Sequence, residues 1–187
     1  MFIQTEATPN PATLKFIPGR VVAPDHPIDI RSQEEAAQSP LADALFAIEG
    51  VSGVFYGSDF IAVTRQSGEW EHLKPAILGA IMEHYMCGAP LLRDDGAPPT
   101  AATGDEFFEP ADMETVETIK DLIETRVRPA VAGDGGDITF KGYRNGTVFL
   151  TMKGACSGCP SSTATLKHGI QNLLHHFVPE VIAVEQV

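Results

Sequence analysis

Basic residues are scarce in this chain: 13 Lys and Arg stand against 25 Asp and Glu, a formal net charge of −12. Neutralising a phosphate backbone takes clustered Lys and Arg. No such run exists, so nucleic acid is not an expected partner. Long apolar runs are missing too, and nothing approaches the 18 or more residues of a membrane-spanning helix; no membrane partner is expected. The first residues, Met1-Phe2-Ile3-Gln4-Thr5-Glu6, lack the basic start and apolar core of a secretory signal and the Arg- and Ser-rich character of a transit sequence. The expectation is a cytoplasmic protein, although an organelle form after processing would read the same. Cysteine is also sparse. Three residues, two of them only three positions apart, make a poor disulfide framework. No Ser/His/Asp arrangement or phosphate-binding glycine loop is present, and the chain is not expected to be an enzyme.

What is there begins with a break. Residues 94–110, DDGAPPTAATGDEFFEP, are rich in Pro, Ala, Gly and acid without apolar periodicity, as in a linker. The reading is an α+β protein of two small domains of mixed α/β content, residues 1–93 and 111–187, joined by this acidic linker. The acid excess lies mainly in residues 1–95, with 13 acidic and 6 basic side chains.

In the first half, Phe2–Thr5 and Thr13–Ile17 read as extended runs around the turn Pro9-Asn10-Pro11. Ser39-Pro40 looks like an N-cap followed by Pro at the first helical position, with Leu41, Leu45 and Ile48 at helical spacing. Val51–Tyr56 and Phe60–Thr64 form an expected hairpin, and Glu69 to Met86 a helix through Leu73, Ile77, Ile81 and Tyr85. In the second half a helix is expected from Met113 to Val127, ended by Pro129. A tight loop from Ala132 to Asp137 follows; it lacks the acidic spacing of a calcium-binding EF-hand. Then come Ile138–Tyr143 and Thr147–Met152 around Arg144-Asn145-Gly146, a hairpin signal. A helix to Phe177, lined by Leu166, Ile170, Leu173, Leu174 and Phe177, and a last strand within Glu180–Val187 complete the chain.

Cys156-Ser157-Gly158-Cys159-Pro160 lies at the turn from strand to helix. Two thiols at that spacing can reach one metal or bond each other, and Pro160 fits the first helical position. Free N–H groups and the positive end of the helix favour thiolate over thiol there. Three chemistries fit the pair. A thiol–disulfide oxidoreductase of thioredoxin type would need more strands than the 28 residues after Cys159 supply. A closed zinc site wants four ligands, and His168, His175 and His176 lie well along the following helix. An iron–sulfur cluster takes four thiolates, which two chains contributing two each would provide. Cys87, at a helix end among apolar neighbours, reads as a packed residue, and His175 and His176 as solvated side chains at a helix C-terminus.

The run from Arg128-Pro129 through Asp134-Gly135-Gly136-Asp137 to Gly154-Ala155-Cys156-Ser157-Gly158-Cys159-Pro160-Ser161-Ser162 resembles the NifU C-terminal domain. Gln4-Thr5-Glu6, Thr8-Pro9-Asn10-Pro11 and Leu14-Lys15-Phe16 resemble the Nfu-type N-terminal domain. The resemblance covers nearly the whole chain outside the linker. It implies a carrier in which Cys156 and Cys159 bind a 4Fe–4S cluster bridging two subunits of a homodimer (2Fe–2S being the other form). The carrier receives the cluster from upstream cluster-assembly proteins and delivers it to apo iron–sulfur proteins. Partner recognition is the role it suggests for the N-terminal domain.

Overall fold

A computed structural model describes residues 1–24, 26–93, 106–157 and 160–187, with the backbone alone for residues 160–162. The chain forms two compact units, Met1–Ala101 and Ala102–Val187. Most of the run assigned to the linker, residues 94–105, lies outside the described residues.

The first unit is a five-stranded antiparallel sheet with helices. Strands β1 (Gln4–Ala7), β2 (Thr13–Ile17), β3 (Ile28–Ile30), β4 (Val51–Tyr56) and β5 (Ile61–Arg65) stand in the order β1-β2-β5-β4-β3. Helices α1 (Gln33–Ala36), α2 (Pro40–Phe46) and α3 (Trp70–Cys87) complete it. Alternation decides which residues go inward. Phe16, Val54, Tyr56, Ile61 and Val63 meet Leu41, Leu45, Leu73, Ile77 and Ile81 in one buried cluster. Ser39 caps α2 as expected, its hydroxyl accepting from the Ala42 N–H, and the same oxygen lies 2.9 Å from the buried Tyr56 hydroxyl. Strand β3 and helix α1 are three and four residues long, too short to show a period in sequence.

The second unit is a three-stranded sheet of β6 (Gly136–Arg144), β7 (Thr147–Gly154) and β8 (Ala183–Gln186), in that order. Strands β6 and β7 are the expected hairpin. Asn145 at φ 51° and Gly146 at φ 78° make the left-handed pair that a two-residue turn needs. Strand β8 runs parallel to β7, which requires a crossover; helix α6 (Pro160–Phe177) supplies it.

Three expectations change here. The helix α4 (Met113–Leu122) does not end at Pro129. It passes through a π-helical turn, Ile123–Val127, into α5 (Arg128–Gly133). Proline inside a regular helix lacks a donor and collides with the carbonyl four residues back. The wider turn relieves both problems, and Pro129 falls in the first turn of α5, where no donor is needed. The expected loop from Ala132 is thereby reduced to the turn Asp134-Gly135. The end of the supposed linker is also structured. Phe107 bridges Gly142 with its N–H on the Lys141 carbonyl at 3.2 Å and its own carbonyl accepting from Tyr143 at 2.8 Å. Glu106 pairs with Lys120, and Phe108 packs on the core. Finally, Met113 and Phe177, placed on apolar faces by spacing, are 55% and 49% exposed; Phe177 carries the Arg126 guanidinium over its ring instead.

Candidate functional site

The site sits at the open end of the β6–β7 hairpin. Gly136 pairs with Gly154, and Asp137 with Lys153, in the last rungs of the ladder. Beyond Gly154 the chain makes a short 3-10 turn, Ala155–Ser157, before α6 begins at Pro160. Gly135 and Gly154 both hold positive φ, 81° and 68°, which lets the two strand ends curl toward each other. The turn is fixed from three sides. The Ala155 N–H donates to the Gly135 carbonyl at 3.2 Å, the Ser157 hydroxyl to the Gly154 carbonyl at 2.9 Å, and the Thr163 hydroxyl to the Cys156 carbonyl at 2.9 Å.

Cys156 is 6% exposed and belongs to the same core cluster as Val131, Ile138, Met152 and Ile170. Gly136 is packed against it. A Cβ on that glycine would lie 2.7 Å from the Cys156 sulfur and 2.7 Å from the Lys153 carbonyl oxygen. Only a hydrogen fits between strand and thiol. The thiol is pushed up to about 11, first by burial and then by the carboxylates of Asp134 and Asp137. That reverses the expected preference for thiolate at this cysteine. Helix α6 starts four residues later, and the field of a helix end falls off within a turn; desolvation and two nearby carboxylates outweigh it. Cys159 and Gly158 lie outside the described residues.

Asp137, at the end of what the sequence suggested was a tight loop, is the second residue of β6 and 6% exposed. The Arg128 guanidinium grips it with two bonds, Nε to Oδ1 at 2.8 Å and Nη2 to Oδ2 at 3.2 Å. The same guanidinium reaches back one turn to Glu124, Nη1 lying 2.9 and 2.8 Å from its two oxygens. Sequence reading quoted Arg128, Gly136 and Asp137 as part of a motif and gave them no role. The spacing of an Arg in a helix and an Asp after paired glycines carries no sign that they meet.

Other candidates fall away from this place. Cys87 is exposed at the last position of α3, not packed; the αL cap at Gly88 ends the helix with that side chain outward. His175 is exposed, and its Nδ1 lies 2.8 Å from the Val181 carbonyl. Among the described residues, no three His, Cys, Asp or Glu side chains are grouped to hold a metal ion, and no helix is long and apolar enough to cross a membrane.

Residues 3–88 match the family described as scaffold protein Nfu/NifU N terminal, and residues 119–185 the NifU-like domain. NifU-like protein 5, mitochondrial, from Arabidopsis thaliana is 50% identical over 189 residues, covering 100% of this chain and 68% of its own length. The chain belongs to the Nfu/NifU scaffold family. Its two family segments fall one on each compact unit. Another Nfu relative, named NFU1 iron-sulfur cluster scaffold homolog, mitochondrial, from Drosophila sechellia, is 51% identical over all of this chain, which spans 65% of that relative's length. A solution NMR structure of a NifU-like protein from Saccharomyces cerevisiae aligns with 51% of this Nfu chain and 87% of its own, at 24% identity and a TM-score of 0.46. Both curated relatives are named mitochondrial, so the cytoplasmic expectation receives no direct support and the organelle alternative is the one consistent with the names.

Proposed function

We propose that this chain is an iron–sulfur cluster carrier in which Cys156 and Cys159 of each of two copies hold a 4Fe–4S cluster, later passed to apo-proteins. The cluster is cargo. The observation that carries the reading is the seat of Cys156: a thiol on a strand-to-helix turn whose backbone three hydrogen bonds fix, in a chain whose relatives are named cluster scaffolds. A common iron–sulfur cluster takes four thiolates. Two cysteines per chain leave half the coordination to a second copy, and a cluster held by few bonds at a subunit interface suits transfer. Binding needs the thiolate, so loading must draw a proton from the Cys156 thiol. The thiol–disulfide oxidoreductase reading is weakened by the same facts, since an attacking cysteine works as an accessible thiolate and burial drives Cys156 the other way. The acid excess of the first unit suits docking to basic patches on recipients.

Anaerobic reconstitution of the full chain tests this. Iron and sulfide should reach four each per dimer, with a Mössbauer spectrum of a 4Fe–4S cluster, and Cys156→Ala or Cys159→Ala should abolish binding while circular dichroism stays that of a folded protein. Full iron content in either variant, or thiol-dependent disulfide reduction without iron, would overturn the carrier reading.

A further inference from the structure

We propose that the Arg128–Asp137 pair is a positioning element for the cluster ligand Cys156, acting through the backbone of Gly136. The inference rests on the carrier reading above and deepens it. Its first support is geometric. Asp137 is the residue after Gly136, and Gly136 packs so close to the Cys156 sulfur that an added Cβ would lie 2.7 Å from it. The carbonyl of Gly135, one residue further back, accepts from the neighbour of Cys156. Whatever fixes Asp137 therefore fixes two of the surfaces that locate the thiol. Arg128 does this with a planar fork, two bonds at 2.8 and 3.2 Å to a carboxylate that is almost fully buried. Such a pair sets direction as well as distance, which a point charge does not.

The second support is the helix that presents Arg128. A π-helical turn is rare and is often found beside functional sites. Here it occupies Ile123–Val127, immediately before Arg128. It adds residues to one turn while Ile123, Val127 and Val131 all stay in the core. The guanidinium is then held from behind by Glu124, a residue of the π turn itself. The turn, the arginine and the aspartate form one unit aimed at the start of β6.

The third support is energetic. A buried ion pair is a poor way to add stability, because desolvation consumes much of the attraction and apolar replacements often do as well. Among the described residues of this unit, 17 already form a buried, largely apolar core. A directional charge pair here is better explained by what it positions.

The test uses the full chain with Asp137→Asn, Arg128→Lys and a control, Val184→Ala. Val184 is buried in β8, which pairs with β7 at Thr147–Leu150, the end opposite Gly154. Arg128→Lys keeps both charges and loses the fork, so its effects report position rather than charge. Two measurements are made: the half-time of cluster loss to excess EDTA, and the iodoacetamide labelling rate of apo Cys156 relative to Cys87, read by peptide mass spectrometry. Outer residues that orient metal ligands change affinity by about tenfold to a hundredfold. We expect Arg128→Lys and Asp137→Asn to shorten the half-time by about tenfold and to speed labelling of Cys156. Val184→Ala, at an equal or larger drop in melting temperature, should change neither by as much. Equal half-times and labelling in Arg128→Lys and wild type, or changes no larger than in the control, would overturn the proposal. If the wild type binds no iron, the carrier reading fails instead, and labelling of the apo proteins decides the positioning claim alone: faster Cys156 labelling in Arg128→Lys than in the control supports it, and equal labelling overturns it.

Discussion

Gly136→Ala should damage the second unit in a way that depends on Cys156. An added Cβ meets two atoms at 2.7 Å, the Cys156 sulfur and the Lys153 carbonyl oxygen, and the Cys156 Cβ at 3.3 Å. The sulfur can move by rotating about one bond, whereas the carbonyl belongs to a paired strand and cannot move alone. Overpacking of this kind costs about 1–3 kcal/mol, while replacing glycine returns about 0.4–1 kcal/mol through the unfolded chain. The net loss is about 1–2 kcal/mol, a fall in melting temperature of roughly 4–16 °C for a unit of this size. Calorimetry of the apo full chain should show that fall in one of two transitions, and reconstituted protein should carry less iron. The decisive comparison is the same substitution in a Cys156→Ala background. With the sulfur gone, one of the two close contacts is gone, and the cost of Gly136→Ala should shrink by about 0.5 kcal/mol or more, a coupling typical of touching residues. An identical cost in both backgrounds would refute the contact between Gly136 and the thiol.

Gly169 lies inside α6 with nothing within 4 Å of an added Cβ, so Gly169→Ala should raise the stability of the second unit by about 0.5–1 kcal/mol, read as a higher urea midpoint. His84 is 8% exposed and burial holds its pKa below the ordinary 6.5. Its contribution to the first unit is therefore complete above about pH 6.5 and is lost as pH falls through that value toward the lower folded pKa; urea titrations between pH 7.5 and 5 should show the loss, and His84→Gln should flatten it. Cys87→Ser should leave iron per dimer unchanged and cost at most about 0.5 kcal/mol, as befits an exposed side chain; loss of iron would mean a third ligand exists.

Elements whose signals are local were legible in the sequence. Ser39-Pro40 announced α2 because capping and proline geometry act within one turn. Asn145-Gly146 announced the β6–β7 hairpin because few residue pairs accept its left-handed angles. What failed depended on distant partners. Pro129 reads as a helix stop until the wider turn ahead of it is seen. Phe107 reads as linker because its place is set by Gly142, whose missing side chain leaves room for the ring: a Cβ there would meet it at 2.6 Å. The candidate site divides the same way. Spacing in Cys156-Ser157-Gly158-Cys159 indicated a metal or redox pair. The burial of Cys156, and the meeting of Arg128 with Asp137, come from tertiary packing that no local pattern encodes.

The two ends of the hairpin are closed by different means. At Asn145-Gly146 the strands are tied by a two-residue turn, and Val148 in the next rung is buried. At the other end the ladder stops at Gly136 and Gly154, two residues without side chains to hold each other. Closure there comes from outside the ladder, from the Arg128–Asp137 fork and the bond of the Ala155 N–H to the Gly135 carbonyl. Local opening is cheapest where contacts are few, so removing the fork should free this end alone: the Ala155 amide hydrogen should exchange faster in Arg128→Lys than in the wild type, while Tyr143 and Val148 keep their rates. A cargo site closed by a clasp rather than by the sheet can be loosened without unzipping the fold.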